Sequence, residues 1–153
     1  MRPDEPMAYF KLGVALGNSG HFVEAAQRLL EAKERFPVGS GMWALATAQA
    51  FVSLTQEACD EVAKPEWWND EGLKALSARV VRAAPDIVQG HQMRAMVLSA
   101  RVEISWGPGP RSAAELREAA THFDRAAALS TAPAVKADFA AAAQQCRRAA
   151  EAM

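Results

Sequence analysis

Two stripes of side chains at helical spacing are the residues best placed to do chemistry with a partner. His91, Arg94, Leu98 and Arg101 recur at i, i+3, i+7 and i+10, and Gln49, Ser53, Gln56 and Asp60 at i, i+4, i+7 and i+11, so each set shares one face of a helix. Two guanidiniums flanking a leucine suit an extended ligand that carries an acidic residue beside an apolar one. Arginine can hold a carboxylate through two parallel hydrogen bonds while the leucine supplies burial. Gln49, Ser53 and Gln56 would then bond the ligand backbone. The plain alternative for either stripe is a solvated helix face. Trp67-Trp68 is a third candidate, read as opening a helix. Adjacent helical positions point about 100° apart, so one indole is expected in the core and the other toward solvent or a partner. Trp43 and Trp106 are expected to pack.

Catalysis finds no comparable footing. His21, His91 and His122 fall in different predicted helices, and none has a second His, Cys or carboxylate at a recognised metal-ligand spacing. Each reads as a surface or boundary histidine, and no metal is expected. Cys59 and Cys146 sit inside helical patterns and read as small buried hydrophobes. There is no glycine-rich phosphate loop after a strand, no Gly-x-Ser-x-Gly and no paired-carboxylate string, so neither a cofactor nor an enzyme activity is expected. With 17 basic and 18 acidic residues the net charge is -1, which gives no overall attraction to nucleic acid or an anionic membrane. No apolar run approaches the roughly 20 residues that span a bilayer. The cysteine usage and an N-terminus without a signal-peptide core make a reducing, cytoplasmic setting the expectation.

These side chains must be held by helices. Half of the 153 residues are hydrophobic, and alanine, the commonest type, favours close helix packing. Asp4 can cap a first helix that runs to about Gly17, and a second begins near His21 or Phe22 and ends before Pro37 and Gly39. Pro37, Pro85 and Pro133 each close a helical pattern, at intervals of 48 residues, which divides the chain into units of about 4–37, 38–85 and 86–133 with a closing helix over about 134–152. In the second unit Met42 to about Val62 reads as one long helix, with Ala44, Ala48, Phe51, Val52, Thr55 and Cys59 inward. A partner helix after Pro65 carries Leu73, Leu76, Val80 and Val81 on one face. The third unit opens with a helix from about Asp86 to Ser105 that buries Met93, Met96, Val97, Ala100 and Ile104. The string Trp106-Gly-Pro-Gly-Pro110 cannot continue it. Ser112-Ala-Ala-Glu115 is a capping box for the next helix, which buries Leu116, Ala119, Ala120, Phe123 and Ala127. The closing helix carries Val135, Phe139, Ala142, Cys146 and Ala149 on one stripe. The prediction is an all-α fold of about seven helices in antiparallel hairpins.

The stretch from Met7 to Pro37, MAYFKLGVALGNSGHFVEAAQRLLEAKERFP, resembles one tetratricopeptide repeat from end to end. Its signature positions fall on Tyr9, Leu12-Gly13, Leu16, Ala25, Leu29 and Pro37, with Asn18-Ser19-Gly20 as the turn. Gly13 and Ala25 are small where two helices cross, and Tyr9, Leu16 and Leu29 fill the volume beside them. No aromatic-Leu-Gly string recurs in residues 38 to 133. The resemblance implies a short solenoid acting as a non-catalytic protein- or peptide-binding scaffold, whose inner face is lined by the first helix of each hairpin. Phe10, Val14 and Asn18 are the candidates there on the first hairpin. Family members that clamp a terminal carboxylate carry Lys and Asn where this chain has Phe10 and Val14, so that mode is not implied. The alternatives are a self-association module, with a homo-oligomer as partner, and an accessory domain of a larger enzyme.

Overall fold

The computed structural model describes residues 5–100 and 106–153. Seven α-helices occur among them: α1 (Pro6–Asn18), α2 (Phe22–Arg35), α3 (Gly41–Leu54), α4 (Asp70–Ala83), α5 (Val88–Ser99), α6 (Ala113–Leu129) and α7 (Pro133–Glu151). A single 3₁₀ turn, Glu57–Cys59, follows α3, and no strand occurs among the described residues. Each helix packs against the next in sequence, and α3 also packs on α5, an arrangement compatible with a helical repeat array. No described helix is long and apolar enough to cross a membrane.

The first hairpin follows from its small residues. Gly20 takes a φ of +82° in the turn, a region that costs glycine nothing. Gly13 lies against α2 so closely that a Cβ there would sit 2.7 Å from Leu29 Cγ and 3.3 Å from the Ala25 carbonyl oxygen. Gly13→Leu is therefore expected to destabilise the protein by about 1–3 kcal/mol through overpacking, against a helix-propensity gain of about 1 kcal/mol. Thermal unfolding followed by circular dichroism checks this, and an unchanged or raised midpoint would contradict it.

Helix α3 is the centre of the fold. Trp43, Ala44, Ala46, Thr47, Ala48, Ala50, Phe51, Ser53 and Leu54 are all buried, so most of the helix faces protein, while Met42, Leu45, Gln49 and Val52 form one half-buried stripe. Thr47 is tolerated there because its hydroxyl donates to the Trp43 carbonyl at 2.7 Å. Around α3 a main core joins residues of α1 to α5 with Trp68 and Trp106. A second core joins α5, α6 and α7 through Ala95, Leu98, Ala119, Phe123, Ala143 and Cys146, and Met96 touches both.

Two helices are shorter than predicted. The chain leaves α3 after Leu54 instead of continuing to Val62, because Thr55 Oγ1 at 2.6 Å and Gln56 Nε2 at 3.2 Å both donate to the Val52 carbonyl that a longer helix would use. Cys59 is still buried, but from the 3₁₀ turn. Helix α5 stops at Ser99, not Ser105, because Ala100 adopts a left-handed φ of 52° and its N–H closes onto the Met96 carbonyl. Asp4, Ile104 and Ser105, to which the sequence assigned a cap, a core position and a helix end, lie outside the described residues. The start of α6 is as expected: the Ser112 hydroxyl accepts from the Glu115 N–H and the Glu115 carboxylate accepts from the Ser112 N–H. On α7 the buried stripe is Ala143, Cys146 and Ala150, with Phe139 half-buried, while Val135 and Ala149 face solvent. Phe139, Ala142 and Cys146 are thus on the packed face as predicted, whereas Val135 is not and Ala150 takes the place predicted for Ala149.

Candidate functional site

The predicted binding stripes fare differently. Val14 and Asn18 of α1 and Gln49 and Ser53 of α3 line one depression of about 220 Å³, with Gly13 and Phe22 beside them. Glycine at 13 and 17 keeps the α1 wall low, and the end of α3 brings Gln49 and Ser53 alongside. Gln56 is not part of it. Its side chain is turned back onto the Val52 carbonyl, and Asp60 lies beyond the helix, so the four-residue stripe is cut to two by the early end of α3. Phe10, half-buried, packs against the main core.

The stripe on α5 faces protein, which corrects its assignment to a groove. His91 is only 6% exposed, and Leu98 belongs to the second core against α6. The side chain of Arg94 is 15% exposed. Its Nη1 donates to the Lys74 carbonyl at 2.7 Å and to Ser77 Oγ at 3.1 Å, and its Nη2 meets Glu118 at 3.2 Å. The guanidinium thus ties α4, α5 and α6 together. Arg101 lies outside the described residues. The reason is geometric: α5 is flanked by both α4 and α6, so no broad face of it is left over.

Packing also joins two histidines that the sequence treated singly. His91 Nδ1 lies 2.9 Å from His122 Nδ1, His91 Nε2 lies 2.7 Å from the Pro85 carbonyl oxygen, and the rings stack with centroids 5.2 Å apart. His91 is thus a core residue and not a boundary one. Burial pushes the His122 pKa down, aided by His91, while Glu118, 3.5 Å from its Nε2, opposes this. Among the described residues no group of three His, Cys, Asp or Glu side chains could hold a metal. Burial pushes the Cys59 thiol up, the opposite of what a nucleophile needs.

Trp67 and Trp68 precede α4 instead of opening it, because Asn69 is the cap: its side chain accepts from the Gly72 N–H. One indole is buried as expected. Trp68 packs on Phe51 at 5.4 Å and edge-on to Trp106 at 6.0 Å, and Trp67 is half-buried with its ring 5.8 Å from that of Trp68. Trp43 and Trp106 are buried as expected.

The strongest polar constellation was not foreseen. Asp70, in the first turn of α4, accepts from Trp106 Nε1 at 3.1 Å and from Arg111 Nη1 and Nη2 at 2.9 and 2.5 Å. Arg111 also donates to the Val97 carbonyl at 2.9 Å. Lys74 bridges the Asp70 and Glu115 carboxylates at 3.6 and 2.7 Å. These bonds strap the Gly-Pro loop to α4, α5 and α6 and give it a structural role. Comparison of the chain with protein-family models, curated proteins and solved structures returned no match.

Proposed function

We propose that the chain is a non-catalytic peptide-binding module of the tetratricopeptide type, taking an extended segment in the depression between α1 and α3. The observation that carries this reading is the convergence of Val14 and Asn18 with Gln49 and Ser53 on one concave surface, as the resemblance implies for the first helices of successive hairpins. Asn18, Gln49 and Ser53 offer amide and hydroxyl groups that can bond a peptide backbone, and Val14 and Phe22 offer apolar contact. A preference for acidic segments has no support from Arg94, whose guanidinium already holds Glu118. A cytoplasmic, reducing setting belongs to this reading, supported by Cys59 and Cys146 being buried thiols outside any disulfide.

A peptide array, followed by titration of the isotope-labelled protein, tests it. Bound peptides are expected to shift the side-chain amide resonances of Asn18 and Gln49, and Val14→Glu is expected to weaken them by about tenfold or more through a buried unpaired charge. Peptides that bind without moving either amide, or with equal affinity for the variant, would place the site elsewhere. Self-association is the second reading, favoured by Met7 and Leu12 on α1 and Val135 on α7, the two terminal helices, which expose apolar side chains. Light scattering at rising concentration separates the two.

A further inference from the structure

Trp43, at the start of α3, is only 2% exposed, yet cations gather at its ring. The Arg79 guanidinium carbon lies 5.1 Å from the ring centroid and Lys33 Nζ 5.6 Å from it. Lys33 Nζ is also 5.6 Å from the Trp67 centroid. Arg82, three residues on from Arg79 and so on the same side of α4, lines with it and Trp43 a depression of about 270 Å³. Beyond Lys33 a second depression of about 300 Å³ has an apolar wall of Leu30, Pro65 and Trp67.

Arg28, Arg94, Arg111, Arg125 and Arg147 each meet a carboxylate, while exposed Lys11, Arg117, Lys136 and Arg148 form no ion pair and meet no aromatic ring among the described residues. Lys33, Arg79 and Arg82 form no ion pair among the described residues, and the only carboxylate lining either depression is that of Glu34, beside Lys33. Burial lowers the Lys33 pKa, and the charge of Arg79 lowers it further, against a smaller opposing effect of Glu34. Half-buried Lys33 and the exposed Arg79 and Arg82 bring like charges to the rim of one aromatic ring, an arrangement that an incoming anion relieves.

We propose that Lys33, Arg79 and Arg82, set around Trp43, form a receptor for an oxyanion group carried on a small planar apolar body. The two arginines supply forked donors for a carboxylate or phosphate, and the Trp67 wall beyond Lys33 takes the ring. The site lies on α2, α4 and the start of α3, and does not rest on the α1–α3 depression or on any peptide reading.

The test follows the indole N–H resonances of the isotope-labelled protein during titration with benzoate, phenyl phosphate and uncharged benzamide. Saturable shifts of Trp43 and Trp67 are expected with one or both anions, while Trp106 stays in place, and raised salt should weaken them. Which anion binds tighter tells a carboxylate ligand from a phosphate one. The double variant Arg79→Gln, Arg82→Gln and the single variant Lys33→Gln should each weaken binding by about tenfold or more. An unmoved Trp106 resonance in the variants shows that they are folded. The proposal is overturned if neither anion saturates Trp43, if benzamide binds as tightly as benzoate, or if the double variant binds as well as the wild type.

Discussion

Replacing Asp70 by alanine is expected to cost about 3–5 kcal/mol of stability at neutral pH, the largest effect of any single polar substitution in this protein. The side chain of Arg111 is 5% exposed, so removal of the carboxylate leaves a buried guanidinium without its counter-charge, and it orphans the Trp106 N–H as well. Attraction alone would be worth much less; the cost is that of stranding the partner. The effect must also depend on pH. Hydrogen bonding from Arg111, with help from Trp106 and Lys74, holds the Asp70 carboxyl far below the usual carboxylate range, against the opposing effect of burial. A depressed pKa in the folded state stabilises fully above the unfolded value of about 4, and the contribution is lost as pH falls below it. Urea unfolding of wild type and Asp70→Ala should therefore differ most at pH 7 and converge as the acid limit is approached. A gap that stays constant from neutral pH down through the unfolded value would show that the carboxylate charge is not what holds the loop.

A comparable loss, about 3–5 kcal/mol, is expected for Phe51→Ala. The ring is fully buried in α3, 5.4 Å from Trp68 and 6.0 Å from Trp106, and truncation leaves a cavity where three segments meet. Phe51 lies on the fully buried side of α3, so the walls have little freedom to collapse into the space. The melting midpoint should fall by about 10 °C, with loss of near-ultraviolet dichroism from the two indoles. A loss under about 1 kcal/mol would mean that the aromatic cluster closes over the gap.

The sequence was most legible where a signal is local. Gly13 against Leu29, Gly20 in its turn and the Ser112–Glu115 box are each decided within one hairpin or one helical turn, and all three appear as read. The early end of α3 was missed because Thr55 and Gln56 are acceptable helix residues, and only their bonds to one carbonyl turn them into a stop. The α5 stripe failed for a different reason. Periodicity shows which residues share a face but not which neighbour that face meets, and Arg94 finds its partners 20 and 24 residues away. Asp70 and Arg111 are 41 residues apart, and no spacing rule links them. The unpaired cations near Trp43 were invisible for the same cause, since a lysine on α2 and arginines on α4 become neighbours only when α3 brings their helices together.

The pair of stacked imidazoles between α5 and α6 has a fixed proton inventory. A carbonyl oxygen can only accept, so the 2.7 Å bond to Pro85 requires hydrogen on His91 Nε2. With a lone pair at His91 Nδ1, the 2.9 Å contact requires hydrogen on His122 Nδ1. His122 Nε2 is left bare, facing the Glu118 carboxylate. One added proton can enter at that atom and turn a lone pair aimed at a carboxylate into a donor. Hydrogen on both Nδ1 atoms would set two N–H groups head to head. The contact between these helices is thus directional, with a single hydrogen between the two Nδ1 atoms.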